Sequence, residues 1–265
     1  MIYVLGGGGF YGSALVRQLA AQGRELRIVS RDNYAALRGS KCDLFINANG
    51  NSSKPLARRD PLADFDASVR SVRASLLDFE FDSYLYLSSV DVYPDGSPSG
   101  ANGESSELPP DSQSVYGFHK RLAEQCVQQG AARWLICRLG GAVGPGLKKN
   151  AIYDMLHGGP LWLDPQSCLQ FLQTDDAARL MLDLVDRGIR QDVFNVCGHG
   201  SICLQDALDL LPAPIPVQPG SPKFHSEVTI DKLQRLCPVP ETRATVLEFV
   251  RTSLAARKEE IVDSR

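Results

Sequence analysis

The run Gly6-Gly7-Gly8-Gly9-Phe10-Tyr11-Gly12 near the start constrains this chain more than any other stretch. The apolar residues Ile2–Leu5 before it read as a buried strand, and the amphipathic pattern over Phe10–Gln22 reads as a helix. Gly6, Gly9 and Gly12 place G-x-x-G-x-x-G at that junction. The first glycine permits a tight turn, the second lets backbone approach a pyrophosphate, and the third lets helix pack closely on strand. Backbone N–H groups and the helix N-terminus would then hold the phosphates of a dinucleotide, with Phe10 and Tyr11 beside them. A flexible four-glycine link is the bland alternative, and the regular patterns on both sides argue against it.

The strand–helix rhythm continues along the chain. Glu25–Ser30 and Asp43–Ala48 read as strands. Leu62, Phe65, Val69, Val72 and Leu76 recur at helical spacing after an Asp60-Pro61 start signal. Tyr84–Ser88 reads as a strand, Ser112–Gln129 as a helix and Arg133–Leu139 as a strand. This repetition predicts an α/β fold, a Rossmann-type doubly wound parallel sheet with right-handed crossovers. Beyond Gly140 the rhythm is irregular. Helices are expected near Ala151–Leu156, Thr174–Arg187, Leu204–Leu211, Thr229–Leu236 and Glu241–Leu254, with short strands near Leu161–Leu163, Leu169–Leu172 and Val193–Val196. Pro212–Pro222 reads as a stiff connector, and Asp95–Pro110 as a mobile loop over the site. The expected organisation is a dinucleotide-binding domain over 1–146, a small substrate lobe over 147–258 with elements partly returning to the core, and a frayed tail over 259–265.

Composition narrows the partners. A net charge of −3 and a pI near 5.8 give no nucleic-acid face and no anionic-membrane surface. No apolar run approaches the ~20 residues of a membrane span, and Met1 leads straight into Ile2–Leu5 with no room for a charged leader. The seven cysteines are an odd number without C-x-x-C spacing. Most sit in apolar runs, so reduced core thiols, no metal site and a cytoplasmic protein are expected.

Tyr116-Gly117-Phe118-His119-Lys120 carries the chemistry. Residues four apart share one helix face, so the lysine ammonium can stabilise the tyrosine phenolate. Bringing a tyrosine from ~10 to ~7 requires about 4 kcal/mol of differential interaction, within reach of a lysine and an oxidised nicotinamide together. Such a tyrosine exchanges a proton with a carbinol or carbonyl while hydride moves to or from nicotinamide. Ser30 and Arg31 end the second strand, where a carboxylate would select NAD and an arginine accommodates the 2′-phosphate of NADP. NADP is therefore the expected cofactor, with NAD the alternative if Asp32 stands at the selecting position; otherwise Asp32 caps the following helix.

These motifs together resemble the extended branch of the short-chain dehydrogenase/reductase superfamily, the nucleotide-sugar epimerase, dehydratase and reductase group, over nearly the whole chain. Asp43–Gly50 resembles the segment that lines the cofactor, which implies Asn47, Ala48 and Asn49 as cofactor contacts. Ser88-Ser89-Val90-Asp91-Val92-Tyr93 resembles the family's S-S/T-x-x-V-Y strand end, which implies Ser89 as the catalytic hydroxyl beside Tyr116 and Lys120. Glu124 matches the usual downstream acid, and Arg138 through Gly146 resembles the R-x-x-N-x-x-G-P strand end. Gln170–Ala177 and Val193–Gly198 resemble two later segments.

Several positions depart from the pattern. The interval from Asp32 to Asp43 is too short for the family's helix and further strand, so an edge strand should be missing. Gly141 and Val143 replace an asparagine and a tyrosine, and Leu169 stands where an arginine often holds substrate phosphate. Asn150, after Lys148 and Lys149, is then the implied diphosphate contact, with Lys149, Ser89 and Asp91 completing the expected substrate site; helix capping and solvation are the bland readings. His119 is expected at the surface and Trp162 in the core.

The resemblance implies an NADP-dependent oxidoreductase that reduces the keto group of a nucleotide-activated 4-keto-6-deoxy sugar. An epimerase with recycled cofactor is the close alternative. Dehydration is disfavoured because Val90-Asp91 keeps half of the dehydratase Asp-Glu pair. A non-catalytic sensor or scaffold that binds NADP is a third reading. A homodimer through the Leu62–Leu76 helix and the Tyr-Lys helix is expected.

Overall fold

A computed structural model describes residues 1–94 and 102–263, with side chains through residue 257. Up to Leu139 strands and helices alternate: β1 (Ile2–Leu5), α1 (Phe10–Ala21), β2 (Leu26–Val29), α2 (Tyr34–Leu37), β3 (Lys41–Asn47), α3 (Lys54–Arg59), α4 (Pro61–Phe65), α5 (Ser71–Asp78), β4 (Glu80–Ser89), α6 (Val115–Gly130) and β5 (Trp134–Leu139). The rest comprises β6 (Gly141–Val143), α7 (Ala151–Leu156), β7 (Cys168–Leu169), β8 (Phe171–Gln173), α8 (Thr174–Asp186), β9 (Asp192–Val196), β10 (Ile202–Cys203), α9 (Leu204–Leu208), β11 (His225–Ser226), α10 (Asp231–Gln234) and α11 (Thr242–Asp263).

Six strands form one parallel sheet in the order β2-β1-β3-β4-β5-β9. Only the short α2 fits between β2 and β3, so β3 pairs directly with β1, Val4 opposite Ile46, and β2 is left at the edge. The missing edge strand is thus the observed topology. A parallel sheet must be covered on both faces, and side chains of period two meet both needs. Ile2, Val4, Leu44, Ile46, Leu85 and Leu87 face a core closed by α1 and α8. Tyr3, Leu5, Phe45, Tyr84 and Tyr86 face a second core closed by α5 and α6. A third core lies in the lobe, where Ile152, Met155, Phe171, Leu204, Val246 and Val250 pack together.

Four local expectations are corrected. The Leu62–Leu76 stripe is not one helix face: a π-helical segment at Asp66–Arg70 separates α4 from α5. One inserted residue rotates the following turns by roughly 100°. Val69, Val72 and Leu76 therefore point inward, while Leu62 is 79% exposed. Trp162 is 60% exposed: the expected strand is reduced to a single bridge at the buried Leu161, and the chain bends at Trp162. Two cysteines are not free thiols: Cys168 and Cys203 face each other across β7 and β10 and form a disulfide. Cys42, Cys126, Cys137, Cys197 and Cys237 are free. Finally, α11 extends to Asp263, into the expected tail, since nothing from Leu254 to Asp263 breaks a helix. Among the described residues no helix is long and apolar enough to cross a membrane, and no group of three acidic, cysteine or histidine side chains could hold a metal.

Candidate active site

The glycine turn is closed by contacts that admit no side chain. Gly6 has φ +80°, and a Cβ there would lie 2.9 Å from Ala48 O. At Gly12 a Cβ would lie 2.1 Å from Gly6 O. Gly9 donates its N–H to Gly6 O at 2.9 Å and stands at the N-cap of α1 without a side-chain cap. The first N–H groups of α1 are thus left for an anion, and nothing lies within 4 Å of where a Gly8 Cβ would be. This open concave turn fits a dinucleotide pyrophosphate. Phe10 and Tyr11 begin α1, and Tyr11 donates its hydroxyl to Gly140 O at 3.0 Å, tying the helix to the end of β5.

Ser30 and Arg31 follow the edge strand β2. Asn33, unremarked in the sequence, shapes this turn: its Oδ1 accepts from Ser30 N at 2.8 Å and its Nδ2 donates to Ile28 O at 2.9 Å. The turn leaves both Arg31 and Asp32 exposed, and Asp32 does not cap α2, whose N-cap is Asn33. At the end of β3, Asn47 is fully buried; its amide donates to Tyr84 OH at 2.8 Å and its Oδ1 accepts from Asn49 N at 3.0 Å. Ala48 borders Gly6, and Asn49 donates to Ser71 Oγ. The end of β3 is therefore held against the glycine turn.

Gly117 explains how the reacting groups meet. A Cβ there would lie 1.9 Å from Asp91 O, so only glycine lets α6 approach the end of β4 this closely. Ser114 caps α6, accepting from Gly117 N at 3.1 Å. Tyr116 is thereby brought beside Ser89, whose hydroxyl acts on its own, with Lys120 Nζ 5.8 Å from its ring centroid. Burial pushes the Tyr116 hydroxyl pKa up, Asp91 pushes it further, and Ser89 partly offsets this. Burial also brings the Lys120 ammonium down to about 8, against the charges of Asp64, Asp91 and Glu124. Ser89 Oγ donates to Asp91 Oδ2 at 3.1 Å, and Asp91 Oδ1 pairs with Lys54 Nζ at 2.5 Å. Ser89, Asp91, Tyr116 and Lys120 therefore form one group.

His119 is not a surface residue. It is 7% exposed, and its Nδ1 lies 2.6 Å from Oδ2 of the fully buried Asp64. Asp64 Oδ1 also accepts from Asn51 Nδ2 at 2.7 Å, so α4, α6 and the loop after β3 converge on one carboxylate. Asn150 caps α7 by accepting from Tyr153 N at 2.9 Å and donates Nδ2 to Ala142 O at 2.8 Å. Lys149 reaches across to Ser52, whose Oγ lies 3.0 Å from Nζ. Both expected diphosphate contacts are thus engaged with the protein itself. Part of the loop expected over the site, residues 95–101, lies outside the described residues; from Asn102 it is pinned, Asn102 O accepting from Thr229 N at 3.1 Å.

A cleft of about 310 Å³ opens beside Tyr116. Lys54 and Arg58 line it on the side of the parallel sheet; Leu163, Leu169 and Phe224 line it on the lobe side. Sequence reasoning missed these two cations, although Ser53-Lys54-Pro55 carries a helix start signal of the same kind as Asp60-Pro61.

Comparison with known proteins places this geometry. Solved structures of similar fold include a UDP-galactose 4-epimerase (22% identity, TM-score 0.78, covering 97% of this chain and 99% of that one). A Thermus thermophilus UDP-glucose 4-epimerase in complex with NAD matches at 18% identity and TM-score 0.76, covering 96% and 99%. RMD from Pseudomonas aeruginosa, complexed with NADPH, matches at 20% identity and TM-score 0.73, covering 94% and 99%. No curated protein sequence matches significantly. The family model for the NAD dependent epimerase/dehydratase family matches residues 2–197, and with the glycine turn and the Ser-Tyr-Lys group in place the chain belongs to that family.

Proposed function

We propose that the protein is an NADP-dependent oxidoreductase that reduces the keto group of a nucleotide-activated sugar. The observation that carries this reading is the convergence of Ser89, Tyr116 and Lys120 at the carboxyl end of the parallel sheet, beside the glycine turn. When bound, the nicotinamide supplies hydride to the carbonyl carbon. Ser89 Oγ donates a hydrogen bond to the reacting oxygen, and Tyr116 passes it a proton. The Lys120 ammonium lowers the cost of the phenolate left behind. Asp91 competes for the Ser89 hydroxyl, and Lys54 offsets its charge.

Reduction is favoured over recycling by the open edge. With no strand beyond β2 among the described residues and with Arg31 exposed, the adenosine end of the cofactor has one wall fewer and faces a cation. A reductase must exchange its cofactor at every turnover, whereas an epimerase retains it. Epimerisation through a transient ketone stands as the second reading, on the strength of the family match. Net oxidation of NADPH in step with ketone consumption is the expected outcome; interconversion of two sugars with no net change in NADPH would sink the reductase reading.

We also propose a homodimer. The exposed Leu62 and Phe65 lie on α4, where Phe65 packs edge-on against His119 of α6, and Val115 is exposed one turn before it. Light scattering that reports a 28.9 kDa monomer at micromolar concentration would rule this out.

A further inference from the structure

We propose that Arg58, with Lys54 one helical turn before it, is an oxyanion subsite, so that the substrate presents a phosphate or carboxylate to α3 and not to the lobe. This rests on the cleft beside Tyr116 being where the reacting molecule sits. Residues four apart share a helix face, and both cations line the same cleft as the proton donor. The opposite wall offers Leu163, Leu169 and Phe224, none of which can hold an anion.

The helix that carries the cations is fixed in place. Ser53 Oγ caps it from Leu56 N at 3.3 Å, and Asn51 Oδ1 accepts from Ser53 N at 2.8 Å. Asn51 in turn is held by the buried Asp64. A subsite built on a fixed element loses little entropy on binding. The charges are also unbalanced. Lys54 is paired with Asp91, whereas Arg58 makes no ion pair among the described residues. Arg58 is exposed, and its guanidinium is free to meet two oxygens of a phosphate or carboxylate in parallel.

The test is calorimetric titration of wild type, Arg58→Gln and Arg58→Lys with pyrophosphate, UDP-glucose and UDP-glucuronate, all at saturating NADP⁺. Wild-type NADP⁺ affinity and melting temperature in each variant show that the fold and the glycine turn are intact. The Gln variant should bind several-fold more weakly, with partial recovery in the Lys variant. Equal loss for all three probes assigns the subsite to phosphate; loss confined to UDP-glucuronate assigns it to a carboxylate on the sugar. Arg58-dependent binding of pyrophosphate without binding of either UDP-sugar keeps the subsite and removes the nucleotide-sugar reading. Wild-type affinity in the Gln variant, or no binding of any probe to the wild type, overturns the proposal.

Discussion

Two buried charges lie one turn apart on α6, and their surroundings are opposite. Glu124 is saturated: Arg138 donates from Nε and Nη2 at 2.9 Å each, Arg121 from Nη1 at 2.9 Å and Ser88 from Oγ at 2.6 Å. Tyr93 closes the cluster, accepting from Arg138 Nη1 and donating to Asn195 Oδ1. Lys120 is also buried, yet it makes no ion pair among the described residues: the rings of Tyr86 and Tyr116 lie near its ammonium, and the carboxylates of Asp64, Asp91 and Glu124 act on it only at a distance. A closed cluster joins helix α6 to strands β4, β5 and β9. An open charge weakens the fold and is kept for a partner that is not part of the chain.

The comparison is tested most strongly at Glu124. Glu124→Ala leaves Arg138 buried without its counter-charge, so denaturant unfolding should show a loss of about 3–5 kcal/mol. A loss below about 1 kcal/mol would mean that the cluster is not closed in the way its hydrogen bonds imply. Lys120→Met should move stability the other way. The folded-state value of about 8 lies below the ordinary 10.5, so the charged form is disfavoured by folding. Between these values the unfolded chain binds more protons, and wild-type stability rises as pH rises through that window. Removing the amine should stabilise the cofactor-free protein at neutral pH by up to about 3 kcal/mol, abolish that rise and weaken cofactor binding. A destabilised Met variant would show that Lys120 is satisfied after all.

Tyr116 sharpens the functional side. Tyr116→Phe should lower turnover by about 10² or more, the scale of a lost acid–base group, while cofactor affinity stays near wild type. Normal turnover would move the proton route elsewhere, with Asp91, bonded to Ser89, as the first alternative.

The two surroundings also differ in how far sequence reveals them. Gly6, Gly12 and Tyr116/Lys120 are legible because steric exclusion and helix period act over a few residues, and the lost edge strand is legible from an interval too short to hold it. The burial of His119 is not legible, since its partner Asp64 is 55 residues away and nothing local marks the pair. Cys168 and Cys203, 35 residues apart, meet only because two-residue strands pair, and strands that short leave no period to read. Leu62–Leu76 reads as one stripe because a π-helical insertion has no residue signature. Lys54 and Arg58 look like scattered charge until the fold turns α3 toward Tyr116.

The smallest effect is expected at Arg31, outside both charge environments. It stands just past the carboxyl end of the edge strand, where a 2′-phosphate on the adenosine ribose would lie, and it is exposed. An exposed cation–phosphate contact is screened, so its contribution is about 1 kcal/mol, a several-fold preference and no more. NADP(H) should therefore bind several-fold tighter than NAD(H) in fluorescence titration at low salt, and the ratio should shrink as salt is added. Arg31→Ala should erase the ratio by weakening NADP(H) alone. Equal affinities in the wild type would end the assignment, and Asp32, equally exposed beside it, would become the residue that meets the ribose hydroxyls of NAD.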